Sequence, residues 1–207
     1  MESTSIQQRL KNLPTTAISD ATGGYTNMDG SIRPLSDHFK IAGRALTVRL
    51  PDGENGAVLE AISKAQKGDI IVIDAKGNKN RAVAGDFVIS LAKGVGVQGF
   101  VVNGVIRDIV AIRDLDFPVF SLGTTIAAGF KHGGGAVGVP IAIGGVTVNP
   151  GDYIVGDTDG VVVVPRENVE QIVIEAEEKL RKDVLRESEA LSNGEDSIRA
   201  YLKKVLG

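Results

Sequence analysis

The chain has 207 residues, of which 43% are hydrophobic and 24% are charged, a composition that suits one domain with a sizeable core or one domain plus an appendage. The formal net charge is −3 with both signs mixed along the chain, and only 4% of residues are aromatic, so no basic surface or base-stacking platform for nucleic acid is indicated. Cysteine is absent and His38 and His132 are the two histidines, which excludes disulfides, thiol nucleophiles and Cys-based zinc sites and leaves oxygen ligands for any metal.

The first segment, MESTSIQQRLKNL, lacks a basic region followed by an apolar core, so it does not resemble a secretory signal. No apolar run approaches the length that crosses a bilayer. We therefore expect a soluble cytoplasmic protein that binds neither nucleic acid nor membranes.

The first half of the chain predicts two short helices followed by alternating strands and helices. Apolar residues at helical spacing predict the first helix over 6–13, and Thr15 or Thr16 is expected to cap a second helix that runs through Ala21. The following segments predict, in order, a loop over 25–37, a strand over 41–50, a helix over 54–66, a buried strand over 70–73 that ends at Asp74, and a polar connection over 75–84.

The middle of the chain continues this alternation. It predicts a helix over 86–93, a strand over 97–103, a short helix over 109–114 and a strand over 117–120. Strand–helix–strand units of this kind favour parallel pairing. The glycine-rich segment 123–138 lacks the GxxxxGK[ST] pattern of a phosphate loop, and its Lys131 and His132 are interpreted as surface residues.

The last part of the chain predicts short strands and then a helical arm. Apolar strands at 139–143, 146–148, 153–155 and 161–164, separated by glycine turns, favour antiparallel hairpins or a small barrel-like layer. A long helix over 167–191 and a last amphipathic segment over 197–206 follow. We expect residues 1–165 to form a single α/β domain and residues 166–207 to form a C-terminal helical arm that packs on a neighbouring subunit.

One motif in this region is misleading. Residues 94–99, GVGVQG, match the GxGxxG pattern of dinucleotide-binding folds. That fingerprint requires a strand before it and a helix after it, and here a predicted helix comes first and a strand second. The segment is therefore interpreted as the end of a helix and a tight turn.

A candidate site lies where the predicted helix 86–93 begins and the strand 97–103 ends. The connection between these elements is short, so Asp86 and the pair Arg107–Asp108 are expected at one edge of the sheet, the edge where open α/β sheets bind ligands. Gly104 is expected to form the turn that delivers the pair. Two carboxylates, an Arg and free helix-start amides suit a divalent cation together with a small carboxylate substrate. An Arg–Asp ion pair with Asp86 as a helix cap is the structural alternative.

These residues also resemble a known motif. Asp86, the twenty-residue spacer and Arg107–Asp108 are similar to the motif of the 4-hydroxy-4-methyl-2-oxoglutarate aldolase group, in the ribonuclease E regulator A-like family. Shorter similarities cover most of the chain, at residues 18–21, 43–45, 67–69, 118–120, 149–152 and 159–165. The resemblance implies a layered α/β/β/α sandwich like that of phosphohistidine swivelling domains, and homotrimers that can pair into hexamers.

The resemblance also implies an activity. It indicates a metal-dependent, class II pyruvate aldolase with oxaloacetate decarboxylase activity, which uses Mg²⁺ or Mn²⁺ and a small 2-oxo acid substrate. By motif position, Asp108 would ligate the metal directly and Asp86 would hold it through water, while Arg107 would bind the substrate carbonyl oxygen and stabilise the enolate. Gly85 and Asp86, with the backbone amides of Phe87 and Val88, would hold the substrate carboxylate.

Two alternatives remain. Some relatives are non-catalytic regulators that bind ribonuclease E, although this chain keeps the full Asp-spacer-Arg-Asp motif. A Schiff-base aldolase would need a reactive lysine such as Lys93 or Lys131, and the sequence shows no buried apolar setting for either one.

Overall fold

Seven α-helices and ten strands make up the part of the chain that this computed structural model describes, residues 5–207. The helices are α1 (Ile6–Asn12), α2 (Thr15–Ala21), α3 (Gly56–Lys64), α4 (Asp86–Gly94), α5 (Ile109–Asp114), α6 (Val169–Ala190) and α7 (Glu195–Leu206), and a 3₁₀ turn (Arg166–Asn168) precedes α6. The strands are β1 (Arg33–Pro34), β2 (Ile41–Arg49), β3 (Ile70–Ala82), β4 (Gly99–Val105), β5 (Val119–Ser121), β6 (Ala136–Val137), β7 (Ile141–Ile143), β8 (Val146–Val148), β9 (Tyr153–Asp157) and β10 (Gly160–Val164).

The central sheet is mixed, with a parallel core. Its order is β1-β5-β4-β3-β2-β9-β10, β6 pairs with β2, and β7 and β8 form a separate hairpin. Strands β2, β3, β4 and β5 are parallel neighbours. The parallel pairing predicted for the middle of the chain is therefore confirmed, and so are the antiparallel hairpins of the later strands, β7–β8 and β9–β10.

Side chains on β3 and β10 point alternately to two different hydrophobic clusters, and this alternation defines the layers of the fold. On β3, Ile71 and Ile73 pack with helices α3, α4 and α5, while Ile70 and Val72 face an inner cluster. On β10, the odd-numbered valines 161 and 163 join that inner cluster and the even-numbered 162 and 164 pack with α1, α2 and α6. Successive side chains of a strand point to opposite faces, so two helical layers enclose two β layers. The predicted α/β/β/α sandwich is confirmed.

Strand β2 joins the two β layers. Its residues 41–44 pair with β9 and its residues 45–49 pair with β3. Gly43 lies at the change of partner, where a Cβ atom would be 2.3 Å from the carbonyl oxygen of Gly68. Only glycine permits this close approach of two backbones.

Three local predictions were wrong. Strand β3 continues past Asp74 to Ala82, through two register shifts against β4. The outer part of β3 is mostly polar and only partly buried, so it lacks the apolar pattern that marks a buried strand. Strand β4 runs over 99–105 rather than 97–103. Helix α2 begins after Pro14 with no side-chain cap, because the Thr15 hydroxyl donates to Asp157 Oδ1 at 2.6 Å.

The helical arm is attached to the domain through its first half. Val169, Ile172, Val173 and Ala176 of α6 are buried with α1 and α2, and Arg9 donates two hydrogen bonds, of 2.8 and 2.6 Å, to the Glu177 carboxylate. Farther along, apolar side chains are exposed on α6, at its C-cap and on α7, including Val184, Leu185, Leu191, Leu202 and Leu206. No helix within residues 5–207 is both long and apolar enough to cross a membrane.

Candidate functional site

Backbone hydrogen bonds hold Arg107 at the end of β4. Ile106 donates to the Gly123 carbonyl at 3.2 Å, and Arg107 donates to the Ala84 carbonyl at 3.1 Å. Thr125 donates to the carbonyl of Ile106 at 2.9 Å. The residue is therefore fixed between the segment before α4 and the segment after β5, although its side chain is half-exposed.

The turn after β4 is made by Asp108, not by Gly104 as predicted. Gly104 lies inside β4, where a Cβ would be 2.9 Å from the Ala75 Cβ, so glycine is needed there for packing. Asp108 has φ 60° and ψ 38°, a left-handed conformation that is uncommon for non-glycine residues and best tolerated by Asn and Asp. Its side chain does not cap α5, so the carboxylate remains available to the site.

Gly85 brings the start of α4 against this turn. A Cβ at Gly85 would lie 2.3 Å from Asp108 Oδ2 and 3.1 Å from Arg107 Nε. The φ angle of Gly85 is −131°, which any residue can adopt, so the reason for glycine here is space and not backbone conformation. The helix start and the strand end therefore meet at one edge of the sheet, as the spacing of Asp86 and Arg107 predicted.

Arg107 and Asp108 form an ion pair above Gly85. Arg107 Nε lies 3.2 Å from Asp108 Oδ2, and the two side chains are 42% and 38% exposed. A pair this accessible contributes little to the stability of the fold. Its charges remain open to a ligand, which favours a binding role over a purely structural one.

The start of α4 carries Asp86 and the helix amides. Ile89 makes the first i to i−4 hydrogen bond, to the Gly85 carbonyl, so the amides of Asp86, Phe87 and Val88 precede the helical ladder. The Phe87 amide donates to Asp86 Oδ1 at 2.7 Å. Of the two amides predicted to hold a substrate carboxylate, that of Phe87 is thus engaged by Asp86, which must rotate before Phe87 can bind another anion.

A cavity of about 130 Å³ opens beside these groups. Its lining residues are Asn55, Ala82, Ala84, Gly85, Asp86, Phe87, Val88, Arg107, Ala128, Gly129 and Lys131. Five of the predicted site residues, Gly85 to Val88 and Arg107, are therefore brought together. Lys131, interpreted from the sequence as a surface residue, also lines the cavity, and so does Asn55, which the sequence reasoning missed.

Two further cationic side chains, Arg81 and Lys93, do not line the cavity. Arg81 stacks on Phe130, with its guanidinium carbon 3.7 Å from the ring centroid, and donates to the carbonyl of Ala128, a lining residue, at 2.9 Å. It therefore supports the segment that lines the cavity. Lys93 lies at the far end of α4 and donates to the Leu115 carbonyl. Lys93 is thus remote from the cavity, which removes it as a Schiff-base candidate.

Larger cavities lie elsewhere, among them one of about 240 Å³ beside Pro51 and one of about 460 Å³ beside Asp20 and Lys179. Another of about 270 Å³ is bordered by α2 and β10, and one of about 450 Å³ lies near the beginnings of β4 and β5. None of these larger cavities is lined by Arg107. Asp108 does not line the smaller cavity itself, but it lies beside it through its ion pair with Arg107. We assign the site to the smaller cavity, because it combines cationic side chains, a carboxylate and helix-start amides.

The donor set fits a hydrated divalent ion. No group of three or more His, Asp and Glu side chains in residues 5–207 is arranged to hold a metal, so a full protein cage is not present in this part of the chain. Mg²⁺ needs no such cage, because it keeps several waters and is held by one or two carboxylates. Asp108 and Asp86, both accessible, provide carboxylate oxygens of the required kind.

Known proteins share this sequence and this architecture. The family description "RraA-like: Aldolase/RraA" matches residues 15–163. A protein of Halalkalibacterium halodurans, provisionally named 4-hydroxy-4-methyl-2-oxoglutarate aldolase, is 50% identical over 198 residues, which are 96% of this chain and 94% of that protein.

Solved structures give the same result. A crystal structure of an uncharacterised protein from Pseudomonas syringae superposes with a TM-score of 0.83 and 29% identity, covering 96% of this chain and 98% of that one. The RNA-processing inhibitor RraA from Thermus thermophilis superposes with a TM-score of 0.68 and 28% identity, covering 73% of this chain and 92% of that one. The chain belongs to the RraA-like family of aldolases and RraA proteins.

Proposed function

We propose that this protein is a class II pyruvate aldolase that cleaves 4-hydroxy-4-methyl-2-oxoglutarate and similar oxo acids to pyruvate, and that it also decarboxylates oxaloacetate. The observation that carries the proposal is the meeting of Arg107 and Asp108 with Gly85, at the start of α4 and beside a cavity. The Halalkalibacterium halodurans protein, which is 50% identical to this chain and carries an aldolase name, supports the same lyase chemistry.

The roles of the protein groups follow from where negative charge develops. The helix-start amides of α4 hold the C1 carboxylate, and the Arg107 guanidinium donates to the C2 carbonyl oxygen. When the C3–C4 bond breaks, its electron pair moves into a pyruvate enolate and the C2 oxygen becomes negative. Arg107 therefore binds the transition state more strongly than the substrate, which is the condition for catalysis.

The atoms and protons of the proposed aldol cleavage balance. The C4 hydroxyl group loses its proton and becomes a ketone, while the enolate takes up a proton at C3. One molecule of 4-hydroxy-4-methyl-2-oxoglutarate thus gives two molecules of pyruvate. Oxaloacetate gives the same enolate when its C4 carboxylate leaves as carbon dioxide, so one set of groups serves both reactions.

Asp108, directly, and Asp86, through water, would hold Mg²⁺ or Mn²⁺. When bound, such an ion supplies a Lewis acid that polarises the substrate ketone. The carboxylates are suited to this role because both are accessible and the Asp108 side chain does not cap α5. Asp86 must give up its contact with the Phe87 amide if that amide is to bind substrate.

We also propose that the chain works as a trimer or hexamer in the cytoplasm. Of the arm predicted over 166–207, the first half packs on its own domain, and the part beyond Leu180 would pack on a neighbouring subunit. Support comes from the apolar side chains exposed along the arm beyond Leu180 and from Phe87, which lines the cavity and is 71% exposed. Light scattering should give the mass of a trimer or hexamer, and the double change Leu202→Glu and Leu206→Glu should shift it downwards. A wild-type chain that stays monomeric at micromolar concentration would contradict this arrangement.

The proposed activity is tested by measuring pyruvate release from oxaloacetate and from 4-hydroxy-4-methyl-2-oxoglutarate. Turnover should stop in EDTA, return with Mg²⁺, and be lost in Asp108→Asn. Asp116→Asn is the matched control, because Asp116 also has a positive φ, of 49°, but lies at the other end of α5, where it pairs with His38 and not with Arg107. Asn preserves the left-handed backbone at both positions, so only the charge is removed.

The second candidate is a protein regulator that binds ribonuclease E. It is favoured by the similarity to the RNA-processing inhibitor RraA. A folded chain that releases no pyruvate from either substrate with Mg²⁺ or Mn²⁺, but that binds purified ribonuclease E, would establish this function instead.

A further inference from the structure

Asn55 occupies a helix-capping position without capping the helix. It precedes Gly56 at the start of α3, yet its side chain makes no hydrogen bond to the first turn. Its Oδ1 is buried and has no hydrogen-bond partner within residues 5–207. A buried, unpaired amide oxygen is costly, so a residue of this kind beside a cavity indicates a ligand that pairs with it.

Close packing and backbone hydrogen bonds hold Asn55 in place. Gly129 packs against it so closely that a Cβ there would be 3.1 Å from Asn55 Cβ and Cγ. The Asn55 backbone amide donates to the Phe130 carbonyl at 3.0 Å, and Phe130 donates to the Gly53 carbonyl at 2.8 Å. These contacts hold the loop just before Lys131.

The buried Glu54 fixes the loop just after Lys131. Its carboxylate accepts from the amides of His132, at 3.3 and 3.1 Å, and of Gly133, at 3.3 Å. Lys131 lies between the two anchored stretches, and its ammonium group has no ion pair with a described carboxylate. A positioned backbone thus presents an unpaired cation to the cavity that Arg107 also lines.

The charges of the lining indicate a substrate with two anionic ends. Arg107 and the α4 amides serve the end that becomes the enolate, and Asp86 is the one carboxylate among the lining residues. Neither Asn55 nor Lys131 is needed for that end. Arg81 does not compete for a second anion, because it is engaged with Phe130 and the Ala128 carbonyl.

We propose that Asn55 and Lys131 form a subsite for the C4 end of a 4-hydroxy-2-oxo dicarboxylic acid. Lys131 binds the carboxylate on C4, and the Asn55 amide turns its buried Oδ1 toward the cavity to accept from the C4 hydroxyl group. The proposal rests on the aldolase function above and deepens it. It makes these residues determinants of specificity, while Arg107 and the α4 amides act on every 2-oxo acid.

The chemistry separates the two substrates. In the aldol substrate, the C4 carboxylate stays on the departing ketone and keeps its charge, so an ion pair with Lys131 persists through bond breaking. In oxaloacetate, the C4 carboxylate is one carbon closer and is lost as carbon dioxide, so an ion pair that holds its charge would oppose the reaction. Lys131 should therefore favour aldol cleavage over decarboxylation.

The experiment compares three substrates with the full-length protein and Mg²⁺. They are 4-hydroxy-4-methyl-2-oxoglutarate, its analogue 4-hydroxy-4-methyl-2-oxopentanoate, which carries a methyl group in place of the C4 carboxylate, and oxaloacetate. In Lys131→Met, kcat/KM should fall about 10- to 100-fold on the dicarboxylic hydroxy acid, the size of one charge-assisted contact, and by less than about threefold on the other two. Asn55→Ala should slow both hydroxy acids and leave oxaloacetate within about threefold. Lys79→Met, at an exposed position outside the cavity, is the control.

The outcomes are distinguishable. An active wild type whose Lys131→Met variant keeps its preference for the dicarboxylic acid overturns the subsite and leaves the aldolase function intact. Loss of all three activities in Lys131→Met, with borohydride trapping of pyruvate on the wild type, would make Lys131 a Schiff-base residue and also overturn it. A wild type that releases no pyruvate from any substrate overturns both proposals.

Discussion

The change Gly85→Ala tests the geometry of the site with a single methyl group. The added Cβ would lie 2.3 Å from Asp108 Oδ2, whereas ordinary contact begins at 3.4 Å, so the carboxylate must move by about 1 Å. Arg107 is affected as well, because its Nε and Cγ would be 3.1 and 3.2 Å from the new atom. Misplacement of reacting groups by about 1 Å can reduce turnover about 100-fold, equivalent to about 2.7 kcal/mol.

The same change should hardly affect stability. The backbone of Gly85 is in the extended region, where alanine is favoured over glycine by about 0.4–1 kcal/mol through the unfolded chain. The disturbed ion pair is accessible and contributes about 0–1 kcal/mol. These effects oppose each other, so the midpoint of thermal unfolding should move by only a few degrees.

The assay couples pyruvate release to NADH oxidation by lactate dehydrogenase, with thermal unfolding followed in parallel. Gly94→Ala is the matched control at the other end of α4, where a Cβ would meet nothing within 4 Å. That control should keep wild-type kcat. A Gly85→Ala variant with wild-type kcat on both substrates would refute the placement of the reacting groups above Gly85.

Three further predictions concern the framework of the site. Phe120→Ala, in the inner cluster between the β layers, should lower the free energy of unfolding by about 3–5 kcal/mol in urea titrations, because the side chain is fully buried. Glu54→Ala should destabilise the protein by about 1–3 kcal/mol and reduce hydroxy-acid cleavage more than oxaloacetate decarboxylation, because it releases the amide of His132; equal losses on both substrates would contradict its role in holding that loop. Hydrogen bonds from Arg9 lower the pKa of Glu177 below its ordinary value of 4.5, so the stability that they add is present above about pH 4.5 and is lost as the pH falls through the lowered value. Glu177→Gln should lower the free energy of unfolding by about 0.5 kcal/mol at pH 7 and should flatten this acid dependence. Urea titrations at several pH values would measure both effects.

The order of the elements was predictable because burial leaves a clear pattern. The run Ile70 to Ile73 is buried on both faces, as a central parallel strand must be, and the helix over 54–66 shows one apolar face. The outer half of β3 was missed for the opposite reason. Residues 76–81 are polar and partly exposed, and their pairing with β4 passes through irregular register, so their sequence does not differ from that of a loop.

The sequence predicts the site residues that lie on consecutive elements joined by short connections. Asp86, Arg107 and Asp108 are separated by one helix and one strand, so their meeting follows from short connections. Asn55 and Lys131 come to the same cavity from distant segments, and no local pattern connects them. An asparagine before a helix is expected to be a cap, and the unused Oδ1 of Asn55 is visible only in three dimensions.

The sequence did not identify which residue makes the turn after β4. Gly104 was expected to make the turn because glycine is the residue that most readily adopts unusual backbone angles. In the structure, Gly104 is required by the neighbouring Ala75, and Asp108 takes the left-handed conformation itself. Asp108 therefore carries both the backbone turn and the carboxylate that we propose as a metal ligand.

The most direct test of the central claim is the exchange of pyruvate methyl protons for deuterium, followed by proton NMR in D₂O with Mg²⁺. This reaction requires only that the protein stabilise the pyruvate enolate, and it does not depend on the identity of the departing fragment. We expect the wild type to catalyse exchange and Arg107→Ala to lose it, while Arg113→Ala, on the exposed surface of α5, retains it. A folded wild-type oligomer that exchanges no faster than the buffer with Mg²⁺ alone would contradict the account.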